Sequence, residues 1–258
     1  MSDVLVLCYH AVSPTWGATF SVSPDVLERQ ISLLLKWGWQ GARFTDAVLN
    51  PPADRTLAVT FDDGFASVFE RAAPILSALG VPATVFAPTS FMSTNQELRW
   101  DGIEGWRGTR DAHELLCMNW QQLGELADRG WEIGSHTCTH PHLRRLSEEA
   151  VREELLKSRE HCSEQLGSPC RSVAYPYGEV DGRIADIASE VGYLAGACLS
   201  HSMARRGPHL WPRVGVFHGD FELRFRLKVS PLIRSLRAVR VGRSRPLQPL
   251  SSATHRST

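Results

Sequence analysis

The sequence predicts an α/β protein built on a parallel sheet, either open or closed into a barrel. Two observations predict it. Short apolar runs alternate with helical patterns, and three motifs rich in Asp, His, Tyr and Gly each follow one of those runs. Such alternation gives right-handed βα units, whose loops at the carboxyl ends of the strands converge on a ligand site.

The elements follow in order. Val4 to Tyr9 is the first strand. Ser23 caps a helix with Pro24 in its first turn; Val26, Leu27, Gln30, Ile31, Leu34 and Leu35 recur at helical spacing, and Gly38 ends it. Leu57 to Phe61 is the next strand, and a helix from about Ser67 stops at Gly80. Ala83 to Ala87 is the third strand. Residues 88–117 lack a period and read as a long functional loop or lid. Asn119 caps a helix, Trp131 to Gly134 is strand-like, and Ser147 caps a long helix to about Leu166. Ser172 to Tyr175, a helix near residues 182–191, and Leu194 to Leu199 continue the rhythm.

The composition is that of an ordinary globular chain: 258 residues, 43% hydrophobic and 22% charged. It excludes collagen-like, disordered and disulfide-scaffold classes. The net charge of zero hides an asymmetry. No acidic residue follows Glu222, whereas nine Lys or Arg do, leaving 19 basic against 28 acidic residues before them. The body is acidic, which argues against a general nucleic-acid binder. None of the six cysteines forms a C-x-x-C pair, and they read as small buried side chains. Met1-Ser2-Asp3 leads directly into a short apolar run with no basic n-region, and no run approaches ~20 apolar residues. The expectation is a cytoplasmic protein.

Three segments carry chemistry: Thr60-Phe61-Asp62-Asp63-Gly64, Ser135-His136-Thr137-Cys138-Thr139-His140, and Tyr175-Pro176-Tyr177-Gly178. Adjacent carboxylates at the end of an apolar strand are costly to desolvate without charged partners. Two imidazoles four residues apart can chelate one metal. Together they supply three protein ligands and leave an open position, as in catalytic rather than structural sites.

These segments resemble the motifs of polysaccharide deacetylases, the NodB-homology domain of carbohydrate esterase family 4. Thr60 to Gly64 is similar to the first motif, Glu132 to Pro141 to the second, and Ala174-Tyr175-Pro176-Tyr177-Gly178 to the third. The resemblance covers about residues 4–220. It implies a single-domain distorted (β/α) barrel with about seven parallel strands. It also implies one divalent metal ion, zinc before cobalt, nickel or manganese, held by Asp63, His136 and His140. Asp62 would be the general base, and the backbone N–H of Tyr177 would help hold the oxyanion.

The chain departs from the family pattern twice. Ala174 stands where the third motif usually has the Arg that orients the base. Arg213, in Trp211-Pro212-Arg213, is the candidate replacement; its alternative is a surface Arg beside a packed Trp. The general acid has two candidates. Cys8-Tyr9-His10-Ala11-Val12 resembles the Tyr-His motif of permuted members such as poly-N-acetylglucosamine deacetylases, which favours His10 over His218 in the loose late match Val216-Phe217-His218.

Lesser signals remain. His142 reads as a turn residue or a neighbour of the metal ligands. Trp211 reads as either a pocket or a core residue, and Trp100 and Trp106 as shaping a glycan groove. Leu223 to Val229 alternates like a strand, and after Pro231 the spacing turns helical. The organisation read is a domain over residues 1–222 and a basic tail over 223–258, disordered from about 242. A basic amphipathic tail suits peripheral contact with the inner face of an anionic membrane.

The expected activity is metal-dependent removal of N-acetyl groups from N-acetylhexosamine units of a polysaccharide or glycan precursor, with no nucleic-acid partner. The alternatives are an O-acetyl esterase or cyclic-amide hydrolase of the same superfamily, or a carbohydrate-binding protein with a degenerate site.

Overall fold

The computed structural model describes residues 2–92, 97–199, 203–204 and 207–239. Its strands are β1 (Asp3–Tyr9), β2 (Ala11–Val12), β3 (Ser21–Val22), β4 (Gln40–Ala42), β5 (Arg55–Phe61), β6 (Ala83–Ala87), β7 (Glu132–Ser135), β8 (Ser172–Ala174), β9 (Ala195–Cys198), β10 (Trp211–Pro212) and β11 (Val214–Gly215). Its α-helices are α1 (Pro24–Lys36), α2 (Phe44–Leu49), α3 (Ala73–Ala78), α4 (Trp120–Asp128), α5 (Glu148–Leu166), α6 (Gly182–Glu190), α7 (Glu222–Val229) and α8 (Pro231–Val239).

The main sheet is parallel throughout, in the order β10-β9-β8-β7-β6-β5-β1-β11. Only Arg213 separates β10 from β11, so one short run carries both ends of the sheet and closes the barrel. The Arg213 amide donates to the Cys198 carbonyl at 3.0 Å, and the Val216 amide donates to the Cys8 carbonyl at 2.9 Å. With that run taken as one stave, the barrel has the seven strands expected. The short β4 pairs with the first half of β5, on the edge where β6 pairs with the second half.

Strand geometry then sorts the side chains, since alternate residues face opposite sides. Val4, Val6, Ala58, Phe86, Ala174, Ala195, Ala197 and Trp211 form one buried cluster inside the barrel. Leu5, Leu7, Leu57, Val59, Val85, Ile133 and Val173 join the larger core under the helices. The same parity carries the inward lines upward to Cys8 and His10, to Asp62, and to His136. Small inward residues are required: a Cβ on Gly134 would lie 2.7 Å from the Phe86 ring.

The helices form where caps and apolar stripes agree. The Ser23 hydroxyl accepts from the Val26 amide at 3.3 Å, and Leu27, Ile31 and Leu34 are buried. Asn119 and Gln122 form a reciprocal capping box at α4. Ser147 caps α5, which buries Val151, Leu155, Ser158 and Cys162. Each fully buried Leu or Ile contributes about 1.5–3 kcal/mol.

Two local expectations need correction, and two short elements had no counterpart among the expectations. The helix expected from Ser67 is a π-turn over Val68–Ala72 followed by α3. The short β4 and α2 were not read. The segment Leu223 to Val229 is helix α7, not a strand. Phe225 and Val229 are one helical turn apart and buried, while Leu223 and Leu227 are one turn apart and exposed. Two stripes at four-residue spacing look like alternation at two.

α7 and α8 pack on the barrel. Phe225 and Val229 belong to the larger core, and Arg234 grips both carboxylate oxygens of Asp3 at 2.9 and 2.7 Å. Phe221, Leu223, Leu227, Leu232 and Leu236 stay exposed. Residues 242–258, where disorder was predicted, lie outside the described residues. All six cysteines are free, and five are buried. Among the described residues no helix is long and apolar enough to cross a membrane.

Candidate active site

Each predicted loop arrives at the same end of the barrel. Asp62 and Asp63 directly follow β5, and His136 directly follows β7. Four non-glycine residues have positive φ among the described residues: Asp63 at 71°, Thr137 at 66°, His140 at 60° and Tyr177 at 58°. All four lie in the three motifs. Backbone strain of this kind persists only where the surroundings enforce it, and it concentrates at functional sites.

Asp63 Oδ1 lies 3.4 Å from Nε2 of both His136 and His140. That is too long for a normal hydrogen bond, and this buried oxygen has no other hydrogen-bond partner. His136 Nδ1 contacts the Ala174 carbonyl at 2.8 Å. A carbonyl only accepts, so Nδ1 carries a proton and Nε2 is the ring nitrogen that faces Asp63; burial pushes His136 down, but Asp62 and Asp63 more than reverse this and raise it. Burial raises the Asp63 carboxyl, but the two imidazoles more than reverse this and leave it well below the usual carboxylate range. Burial, reinforced by the neighbouring His136, pushes His140 down to about 4 against the pull of Asp63. His140 is therefore neutral at pH 7, as a metal ligand must be. One carboxylate oxygen and two imidazole nitrogens, converging without bonding one another, fit a divalent cation.

Asp62, next to Asp63 in the chain, is held by Arg213 instead. Arg213 Nη1 donates to Asp62 Oδ1 at 2.6 Å and Nη2 donates to Oδ2 at 2.7 Å. Nη1 also donates to the Thr60 hydroxyl at 3.0 Å. Both partners are buried. Burial raises the Asp62 carboxyl, while the Arg213 guanidinium and the nearby imidazoles pull it down to about 2. Arg213 moves upward in turn, because Asp62 outweighs its burial. Ala174 is inward-facing and small, and Arg213 supplies from β10–β11 the cation that the third motif lacks.

His10 reaches the same place. A His10 ring nitrogen, the Cys8 thiol and an Asp62 oxygen lie within 4.8 Å of one another. His10 Nδ1 is buried without a hydrogen-bond partner. His218 differs: its side chain is exposed, and its amide donates to the Thr19 carbonyl at 2.8 Å. Tyr177 sits across the triad, its ring edge-on to His140 at 4.7 Å and stacked flat on His142 at 3.8 Å. His142 Nδ1 is 3.2 Å from a Glu179 oxygen, so it braces the third loop.

The aromatic expectations divide. Trp100 stacks on His140 at 4.1 Å, which brings the long loop onto a candidate ligand. Trp106 instead packs edge-on against Trp16 at 5.6 Å, which seats the long loop on the segment between β2 and β3. Trp211 is a barrel-interior residue clustered with Val4, Val6 and Ala197, so it lines no pocket beside the triad. β10 enters the barrel from the end opposite the motifs, and Trp211 stops there.

Sequence reasoning missed Cys8 as a partner of the carboxylate. Its Sγ donates to Asp62 Oδ2 at 3.4 Å, and burial holds the thiol well above its usual pKa and therefore protonated. Strand parity carried the signal, since Cys8 is two residues before His10 and faces the same way. Glu154, whose carboxylate accepts from the amides of Cys138 and Thr139 between the two histidines, was also missed, because nothing distinguishes it among the acidic residues of α5.

A family profile described as polysaccharide deacetylase matches residues 49–196. The chain belongs to the polysaccharide deacetylase family. The YxkH protein of Bacillus subtilis (strain 168) is 24% identical over 221 residues, covering 83% of this chain and 71% of that protein. The poly-beta-1,6-N-acetyl-D-glucosamine N-deacetylase of Staphylococcus aureus (strain MSSA476) is 24% identical over 179 residues, covering 65% of this chain and 57% of its own length. Among solved structures, the Streptococcus pyogenes deacetylase PplD in complex with acetate superposes with a TM-score of 0.74 at 21% identity, over 89% of this chain and 99% of that one. IcaB of Ammonifex degensii superposes with a TM-score of 0.66 at 20% identity, over 92% and 98%.

Proposed function

We propose that this polysaccharide deacetylase is a metal-dependent hydrolase that removes N-acetyl groups from N-acetylhexosamine units of a polysaccharide or glycan precursor. The observation that carries the reading is the pairing of two unlike carboxylates side by side. Asp63 converges with two imidazoles, while Asp62 is held ionised by a buried guanidinium.

An acetamide carbonyl is a poor electrophile. A divalent metal held by Asp63, His136 and His140 would polarise it and lower the pKa of water toward neutrality. Asp62 takes the proton of the attacking water, and Arg213 keeps that carboxylate ionised and fixed in direction. The Tyr177 backbone N–H donates to the developing oxyanion. His10 hands a proton to the departing nitrogen, because an amide anion cannot leave. Trp100 covers His140 and restricts water on that side. Zinc suits this N,N,O donor set, and the same residues accept cobalt, nickel or manganese.

The reading is tested by acetate release from N-acetylglucosamine oligomers with metal-loaded protein, beside Asp62→Asn. Release by the wild-type protein alone supports it. Release from O-acetylated sugars and none from the N-acetylated oligomers would move the assignment to an esterase.

A further inference from the structure

The loop that carries His136 and His140 has no reason of its own to hold its shape. Thr137 and His140 both sit at positive φ, and neither is glycine. Internal bonds alone are few: the Thr137 amide donates to the Ser135 hydroxyl at 3.0 Å, and the His140 amide donates to the Thr137 hydroxyl at 3.1 Å. The tip between the two histidines is held from outside on two sides: the amides of Thr89 and Ser90 donate to the carbonyls of Thr137 and Cys138 at 3.0 and 3.1 Å, and one carboxylate on α5 takes the tip's own N–H groups. Glu154 Oε2 accepts from the amides of Cys138 at 2.8 Å and Thr139 at 3.1 Å, and Oε1 accepts from the Thr139 hydroxyl at 2.7 Å.

α5 is well placed to act as a brace. Its Ser158 hydroxyl donates to, or accepts from, the Tyr193 hydroxyl at 3.1 Å and accepts from the Ser135 hydroxyl at 2.8 Å. Leu155, next to Glu154, is fully buried. One rigid helix therefore grips the strand end just before His136 and the tip just before His140. Two adjacent backbone N–H groups on a single carboxylate oxygen leave the tip little freedom to rotate.

We infer that Glu154 is a positioning residue for the metal centre: its carboxylate locks the 136–140 turn so that both Nε2 atoms face Asp63. The inference rests on the metal-binding reading of that triad. It concerns affinity for the ion, because a ligand loop that must be ordered on binding binds more weakly.

The test is zinc affinity, measured by chelator competition on metal-stripped full-length protein, with the melting temperature of each metal-free variant recorded beside it. Glu154→Ala is expected to weaken zinc binding by about 10–100-fold. Glu154→Gln is expected to weaken it less, because the amide oxygen still accepts from Cys138 and Thr139. Glu153→Ala, one residue away and exposed, is expected to bind as wild type. Unchanged zinc affinity in a folded Glu154→Ala, with only its melting temperature lowered, overturns the inference and leaves Glu154 as a packing contact. Should Glu154→Ala fail to fold, a Glu154→Gln whose Cys138 and Thr139 amides exchange hydrogen faster than in the wild type while zinc affinity stays unchanged overturns it equally. Wild-type protein that takes up no zinc, cobalt, nickel or manganese overturns the metal reading itself and this inference with it.

Discussion

Arg213 closes the barrel and holds both oxygens of Asp62, a residue 151 positions earlier, at 2.6 and 2.7 Å. The residue that completes the sheet is thus the residue that holds the proposed base. A paired buried carboxylate is stable only while its partner is present.

Arg213→Ala is expected to move the acidic limb of kcat/KM to higher pH. The sign follows from the influences on Asp62. With the guanidinium gone, burial is the largest one left, and burial favours the protonated acid. The base then needs a higher pH to be ionised, with a shift of about 1–3 units. Arg213→Lys should shift the limb less, because one ammonium replaces a two-point grip. Removing one partner of the pair also costs about 3–5 kcal/mol of stability, to be read by denaturant unfolding. An acidic limb that stays in place would show that Arg213 does not act on the base.

The two adjacent aspartates should separate cleanly. Asp63→Ala and His140→Ala are expected to lose bound metal and activity together. Asp62→Asn is expected to keep its metal and lose about 10²–10⁴-fold in kcat, the usual contribution of a general base. Elemental analysis beside acetate release checks this. Metal lost from Asp62→Asn and kept by Asp63→Ala would exchange their roles.

His10→Ala should lower turnover by about 10²–10⁴-fold with metal content unchanged. His218→Ala should leave turnover as it is, since that side chain is exposed. The reverse pattern would place the acid on the late loop instead.

The exposed leucines of α8 give the tail a test that spares the fold. Phe225, Val229 and the Arg234–Asp3 pair tie α7 and α8 to the barrel, so truncation at residue 222 would strip buried contacts. Leu232→Ser with Leu236→Ser removes only outward apolar surface. Flotation with phosphatidylserine-containing vesicles is expected to recover the wild-type chain and about tenfold less of the double variant for each leucine that inserts. Equal recovery of the two proteins would remove α8 as a membrane contact.

The reach of the sequence can be judged residue by residue. Strand and helix positions were legible because apolar periodicity and caps such as Ser23, Asn119 and Ser147 are local. The candidate ligand set was legible because Asp63, His136 and His140 sit in short motifs. The helix α7 was misread because two stripes at four-residue spacing imitate alternation. Trp211 stayed ambiguous because an inward tryptophan looks the same at either end of a barrel. Trp100 on His140 and Glu154 beneath the loop depend on where a long loop and a long helix come to rest.

The sequence by itself determined the family, the parallel α/β architecture and the residues able to bind a metal, because these rest on motifs and periods within a few turns of chain. Only the tertiary structure decided that Arg213 serves Asp62 in place of the side chain missing at Ala174, and that His10 rather than His218 stands beside it. The physical reason is that a buried charge requires a partner within a few ångströms but does not specify where in the chain that partner lies. Barrel closure brings β1, β5 and the β10–β11 run together, and that neighbourhood is a property of the closed sheet.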